Sequence, residues 1–350
     1  MSESGIIRIT KGSVKDIRVM KEPTESEVGL GNFVFSDRYS IFDWGEMSDH
    51  IPGKGESLCL ISSYFFEILK ESGVRTTYLG VVEDGEVKKF SELEKATNTM
   101  SVELIRVIRP AETVKSGKIQ YDYSKFAHNL TNFLVPLEVI YRNRLPKGSS
   151  VFRRLKEGTL HYKDLELNHY PEEGEILQQT YIDVSTKLEK GDRYIGWEEA
   201  QKISGLNGTE IYSIKNITHA VNSFITDTVA GAGIINEDGK IEFAVVPFKG
   251  LAVADAVGTL DECRFTFNGK RVSKEILRQW YEKNQPEWVA EIKDKKSSGM
   301  PDWKEQMTTK PMQLPKEQLE YVSNIYMSAA NAITGRNWFN VPRLEELIVK

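Results

Sequence analysis

Short apolar segments at strand spacing dominate the first hundred residues. Ile6–Ile9, Val14–Val19 and Phe33–Phe35 are separated by Gly, Ser, Asp and Pro, the residues that punctuate strands. Behind the Pro52-Gly53-Lys54-Gly55 turn the period changes. Ile61, Tyr64, Phe65, Ile68 and Leu69 recur at intervals of three and four, which predicts a helix with one apolar face, ended by Gly73. Strand text resumes at Thr77–Val82 and Val102–Ile108. The polar, Gly-containing stretch Pro110–Lys125 predicts a hairpin or an excursion between lobes.

Further on, Pro136–Arg144 reads as a buried strand. A long helix is predicted from Thr209 to Val229, with Ile211, Ile214, Ile217, Val221, Phe224 and Ile225 on one side and Gly231 and Gly233 at its end. Strands follow at Lys240–Val246 and Leu251–Val257, then a helix at Ser273–Glu291. A loop rich in Lys, Ser, Gly and Pro runs to Pro315. The final helix reaches about Thr334, with Leu319, Val322, Ile325 and Tyr326 apolar. No repeat or low-complexity segment is present. The order of elements predicts an α+β fold: a β-rich N-terminal lobe over residues 1–110 and a mixed α/β C-terminal lobe over 111–350.

Composition narrows the class without naming a function. A chain of 350 residues, 40% hydrophobic and 28% charged, can bury the core of one large domain or two lobes. Its net charge of -5 argues against a nucleic-acid binder, which needs a basic surface, and leaves room for a local basic pocket for a small nucleotide. The two cysteines, Cys59 and Cys263, are too far apart for a zinc cluster or a disulfide framework, so reduced buried thiols are expected. The N-terminal residues show no basic segment followed by an apolar core. The longest apolar run, around Phe133–Tyr141, contains Pro136 and Glu138 and is not membrane-spanning. A cytoplasmic protein without membrane association is expected.

Candidate chemistry concentrates in one hairpin. In a strand, Lys240 and Glu242 share one face while Ile241 and Phe243 share the other. A symmetric turn over Pro247–Gly250 would set Glu242 directly opposite Asp255. Like charges so placed destabilise a sheet unless something bridges them. Magnesium carried by nucleotide phosphates would serve, with Lys240 as a phosphate partner. In a slipped register both carboxylates would simply face water.

Several segments, in order and over nearly the whole chain, resemble the signatures of the SAICAR synthetase family of purine biosynthesis. They are Gly12-Ser-Val-Lys15-Asp16; Ser36-Asp-Arg-Tyr-Ser40-Ile-Phe-Asp43 with Ile51-Pro-Gly-Lys-Gly55; Leu137-Glu-Val-Ile-Tyr-Arg142-Asn-Arg with Gly148-Ser149; Lys240-Ile-Glu242-Phe; Asp255 through Thr259-Leu-Asp261-Glu-Cys-Arg264-Phe; and Leu314-Pro-Lys-Glu through Ile333-Thr-Gly335. The resemblance implies a two-lobed fold with an ATP cleft between the lobes. It also implies an ATP-dependent ligase that joins CAIR, a carboxylated aminoimidazole ribonucleotide, to L-aspartate, giving SAICAR, ADP and phosphate. Such chemistry needs phosphate cations, magnesium ligands and in-line positioning more than a side-chain nucleophile, and no G-x-S-x-G, H-E-x-x-H or Cys-His pairing occurs.

By that resemblance Lys15 and Lys240 contact ATP phosphates, and Glu242 and Asp255 hold Mg2+. Arg142, Ser149 and Arg264 bind CAIR, whose phosphate and carboxylate suit guanidinium groups. Asp261 accepts from the imidazole amine or the ribose, and Lys240 and Asp261 stand as the catalytic candidates. Lys54, Ser40 and Asp43 are further substrate-binding candidates. An Asp261–Arg264 turn ion pair is the structural alternative. The chain departs from the family pattern at Ser13, Ala256 and Leu260, offers both Ser149 and Ser150 for one role, and lacks a His-Asp pair around Lys187–Arg193. A small-molecule kinase and an altered-substrate or non-enzymatic nucleotide-binding relative are the competing readings. Oligomeric state, including a homo-oligomer, is not legible.

Overall fold

In the computed structural model, residues 5–115, 118–248, 250–297 and 303–348 are described. The N-terminal sheet is antiparallel, with strands β1 (Arg8–Lys11), β2 (Lys15–Lys21), β3 (Gly29–Phe35), β4 (Tyr78–Glu83), β5 (Glu86–Lys88) and β6 (Thr99–Leu104) in the order β1-β2-β3-β6-β4-β5. The first strand begins two residues later than its apolar text and is wholly exposed, as an edge. Strand β5 was not expected. It is returned by Asp84-Gly85, whose positive φ values of 50° and 83° suit a two-residue hairpin.

Helix α1 (Lys54–Glu71) packs against β3, β4 and β6 on one side and against helix α7 (Lys316–Thr334) on another. The predicted apolar stripe is therefore too narrow. Besides Ile61, Phe65 and Leu69, the helix buries Leu58, Cys59, Leu60 and Phe66, because it is covered from both sides.

A short hairpin, β7 (Ala111–Lys115) with β8 (Lys118–Asp122), stands at the predicted polar stretch. The second sheet is built on two 13-residue strands, β9 (Phe133–Leu145) and β11 (Ile234–Val246). Its order is β10-β9-β11-β13-β14, with β12 also paired to β11. Here β10 is Glu175–Thr186, β12 Gly250–Ala254, β13 Cys263–Phe267 and β14 Lys270–Arg271. Helix α4 (Gly208–Gly231) lies across β9, β10 and β11, and starts from an Asn207–Glu210 capping box. Two further helices, α2 (Ser150–Glu157) and α3 (Trp197–Ser204), were not legible in the apolar pattern.

The single helix expected over Ser273–Glu291 is two, α5 (Glu275–Asn284) and α6 (Pro286–Ser297). Pro286 cannot continue a helix, but its fixed φ suits the first position of the next. A last short helix, α8, covers Leu344–Ile348. One continuous apolar core runs from Val19 and Phe35 through α1 to Phe243, Phe265 and Tyr326, joining the two sheets. Cys59 and Cys263 are buried free thiols, as expected. Among the described residues no helix is long and apolar enough to cross a membrane.

Candidate active-site cleft

Two adjoining cavities, of about 340 and 400 Å3, open over the second sheet, the larger reaching Lys15 and Phe35 of the first, and share Asp43, Lys240, Asp261, Glu262, Lys274 and Arg278. The alternation of β9 and β11 explains their polarity. Glu138 and Arg142 share a face of β9, and Asp238, Lys240 and Glu242 share a face of β11. The register sets Arg142 opposite Asp238 and Glu138 opposite Glu242.

The first cavity is organised by guanidinium groups. Arg142, 1% exposed, donates to Asp238 (3.2 Å), Asp183 (3.2 Å), Ser150 (3.1 Å), Tyr194 (3.1 Å) and Ser149 (3.4 Å), and its Nε has no hydrogen-bond partner. A buried cation needs such compensation. Asp238 is shared with Arg264 at 2.7 Å, and Arg264 also donates to Glu275 at 3.1 Å. Ser149 and Ser150 both reach Arg142, and Ser149 additionally caps α2 through the Val151 amide.

In the second cavity the expected hairpin register is corrected. Glu242 pairs with Ala254, not Asp255, because Val246 pairs with Gly250 and so leaves three residues in the turn instead of four. Asp255 lies one residue beyond β12 with φ at 67°, and that left-handed backbone still delivers it to the cavity that Glu242 lines. The carboxylate directly opposite Glu242 is Glu138. Lysines bridge the two: Lys240 lies 2.8 Å from Glu138 and 3.3 Å from Glu242, and Lys187 lies 2.5 Å from Glu242. Lys15, at the start of β2, is ion-paired with Asp255 and lies over the Phe33 ring.

Electrostatics follow from this crowding. Burial pushes the Glu242 carboxyl up, reinforced by Asp255 and opposed by Lys187 and Lys240. Burial also acts to raise Asp255, but Lys15 and Lys187 outweigh it and hold the group down at about 2. For Lys240 burial acts downward, yet Glu262, Glu242 and Glu138 keep it charged, well above its ordinary value. Among the described residues no group of three or more His, Cys, Asp or Glu side chains forms a self-sufficient metal cage. Two hard carboxylates beside three ammonium groups instead fit an ion, such as Mg2+, that takes few protein ligands and completes its shell with phosphate and water.

Lys54 and Asp261 meet where the cavities join. Lys54 is fully buried at the first turn of α1, and its Nζ is 2.9 Å from Asp261 Oδ2. Burial acts to raise the Asp261 carboxyl, but the charges of Lys54 and Lys274 hold it well below the usual carboxylate range. The alternative of an Asp261–Arg264 ion pair is not what forms: Asp261 binds Lys54, and Arg264 binds Asp238 and Glu275. Ser40 lines the second cavity and accepts from the Gly45 amide at 3.3 Å. Asp43, left-handed at φ 59°, lines both cavities and pairs with Lys296. Ser13 and Ala256 also line the second cavity.

Several cleft residues escaped the sequence reading. Glu138 and Asp238 could have been found from strand alternation alone, since each shares a face with a predicted site residue. Lys187, just beyond β10, opens the Lys187–Arg193 segment, which resembles the family's without suggesting a role, and Lys274 and Arg278, around the start of α5, carry no local signal.

Comparison with known proteins agrees with the layout. The SAICAR synthetase family model matches residues 8–295. A protein of Archaeoglobus fulgidus, provisionally named phosphoribosylaminoimidazole-succinocarboxamide synthase, is 48% identical over 337 residues, covering 96% of this chain and 97% of its own. The synthase of that name from Thermoplasma acidophilum is 30% identical over 94% of this chain and 99% of its own. The solved SAICAR synthase of Saccharomyces cerevisiae, complexed with SAICAR, matches with a TM-score of 0.64 at 21% identity, covering 97% of this chain and 98% of that one. A type-2 SAICAR synthetase in complex with ADP matches with a TM-score of 0.60 at 20% identity, covering 94% and 98%. At such identities the solved structures speak for the fold, whereas the family model and the two closer relatives speak for descent. The chain belongs to the SAICAR synthetase family.

Proposed function

We propose that this chain is the ATP-dependent ligase that forms an amide between the CAIR carboxylate and L-aspartate, yielding SAICAR, ADP and phosphate in purine biosynthesis. The observation that carries the reading is a single cleft with a guanidinium compartment and an ammonium–carboxylate compartment, joined at Lys240 and Asp261. A nucleotide carboxylate held by the first compartment would face phosphates held by the second. Family membership does not favour the kinase-like alternative.

The roles follow from charge and position. Arg142 and Arg264, steadied by Asp238, would bind the anionic groups of CAIR, with Ser149 or Ser150 beside them. Lys15 and Lys240 would take ATP phosphates. Glu242 and Asp255 would hold Mg2+, which when bound neutralises phosphate charge. Asp261 would accept a hydrogen bond from the imidazole amine or ribose. Transfer of the γ-phosphoryl group to the CAIR carboxylate gives an acyl phosphate; attack by the aspartate amine then expels phosphate. Ser40 and Asp43 would complete the substrate walls, whereas Lys54, fully buried behind Asp261 and lining neither cavity, would act only through that carboxylate. The lobe boundary is placed near residue 110 and the enzyme in the cytoplasm.

The test is ADP release with CAIR and Mg-ATP, with and without L-aspartate. Aspartate-dependent turnover is expected. ATP binding without it would overturn the ligase reading. Full activity in Glu242→Gln would overturn the metal assignment separately.

A further inference from the structure

The family model ends at residue 295, yet helix α7 begins at Lys316 and contacts Asp261, which lines the cleft. Three of its residues meet the substrate-side turn and its partners. Ser323 Oγ donates to the Pro52 carbonyl at 2.6 Å. Met327 covers Gly53 so closely that a Cβ there would fall 2.6 Å from its sulfur. Between them Tyr326, wholly buried, donates its hydroxyl to Asp261 Oδ1 at 2.7 Å and lays its ring 5.6 Å from the Lys54 ammonium.

We infer that Tyr326 is a positioning residue of the ligase site, whose hydroxyl fixes the Asp261 carboxylate for the imidazole nucleotide and makes α7 part of the catalytic unit. The inference rests on the role proposed for Asp261. Oδ2 of Asp261 is held by charge, with the Lys54 ammonium at 2.9 Å and that of Lys274 at 3.9 Å, whereas Oδ1 takes the aligned hydrogen bond from Tyr326. With Oδ2 buried against Lys54, the Tyr326 bond on Oδ1 fixes the plane of the carboxylate at the point where Asp261 lines both cavities. With Lys54 and Lys274 already supplying positive charge, a hydroxyl suits this task better than a third cation. It orients the carboxylate without cancelling the charge that a substrate N–H or O–H donor needs. Burial, with Asp261 beside it, pushes the Tyr326 phenol well above its ordinary range, so the donor stays protonated.

The test is a double-mutant cycle of Tyr326→Phe and Asp261→Asn, with Tyr321→Phe on the same helix as control. Tyr326→Phe is expected to raise the KM for CAIR about tenfold, the scale of one hydrogen bond to a charged group, while the KM for ATP and the kinetics of Tyr321→Phe stay within twofold of wild type. In the Asp261→Asn background Tyr326→Phe should cost less than twofold more. If Tyr326→Phe alone folds poorly, the double variant is compared with Asp261→Asn alone, and a further loss above twofold there would overturn the inference. An unchanged CAIR KM in Tyr326→Phe, equal losses for CAIR and ATP, or full additivity in the double variant would overturn the inference. If Asp261→Asn itself keeps wild-type kcat/KM, the proposed role of Asp261 fails and the inference falls with it. An impaired Asp261→Asn beside a normal Tyr326→Phe overturns Tyr326 alone.

Discussion

The Lys187 ammonium lies 2.5 Å from Glu242 Oε1, and Lys240 reaches the same oxygen at 3.3 Å. Glu242 is only 4% exposed, and burial with Asp255 pushes its carboxyl up, a rise that these two cations oppose. Lys187→Met removes the nearer cation and raises the Glu242 pKa further. The expected result is a KM for Mg-ATP about tenfold higher, with the KM for CAIR within twofold of wild type, following the loss of about 1.4 kcal/mol of charge stabilisation. Steady-state ADP release measures both, and an unchanged ATP KM would place Lys187 outside the nucleotide site.

Arg142 is expected to resist even conservative change. Its fork spans Asp238 on one side and Asp183, Ser150 and Tyr194 on the other, and a lysine ammonium cannot reach both sets. Arg142→Lys leaves Asp183 or Asp238 short of a partner inside the protein. A stability loss of about 3 kcal/mol is expected from breaking a buried ion pair, read by urea denaturation, together with a CAIR KM raised at least tenfold. Unchanged unfolding would show that Arg154, 2.5 Å from Asp183, and Arg264 suffice to balance the two acids.

What the sequence revealed and what it hid divides along physical lines. Side-chain alternation is local, so Lys240 and Glu242 were assigned to one face, and they do share it. Register depends on turn length, and one residue fewer between Val246 and Gly250 moved Glu242 from Asp255 to Ala254. The convergence of the two carboxylates survived only because Asp255 adopts a left-handed backbone just past the strand, a conformation its sequence does not announce. Helices α1 and α7 were legible from their period, but burial of α1 on two sides follows from packing with α7, which no periodicity in α1 encodes. Lys187 reaches the cleft, and Tyr326 reaches Asp261 behind it, by tertiary contacts alone.

Acid stability should report the Lys15–Asp255 ion pair. The Asp255 carboxyl is held at about 2 in the fold against 3.8 ordinarily. An unfolded chain therefore takes up its proton first as pH falls. The stabilisation, roughly 2 kcal/mol, is complete above about pH 4 and is lost on descending to about pH 2. Lys15→Met removes the largest opposing charge and should flatten the difference in unfolding free energy within that window. Urea denaturation at pH 6, 4 and 3 for both proteins gives the comparison. Parallel curves would mean that the ion pair contributes nothing to acid stability.

The turn between Asp255 and Asp261 depends on a glycine. Gly258 has φ at 70°, and a Cβ there would fall 2.2 Å from the Phe65 ring, which α1 buries in the core at 1% exposure. Gly258→Ala therefore meets two penalties: left-handed backbone for a residue with a Cβ, about 1 kcal/mol, and overpacking against a ring that cannot swing away, about 1–3 kcal/mol. Because the turn spaces Asp255 from Asp261, relief of the clash would shift one of them relative to the cleft. The expected variant melts several degrees lower and loses turnover more than its melting temperature alone explains at 25 °C. A second substitution, Phe65→Leu, shortens the ring's reach and should recover part of the activity in the Gly258→Ala background. No recovery, with Phe65→Leu alone folded and active, would assign the loss to backbone strain instead of contact with the ring.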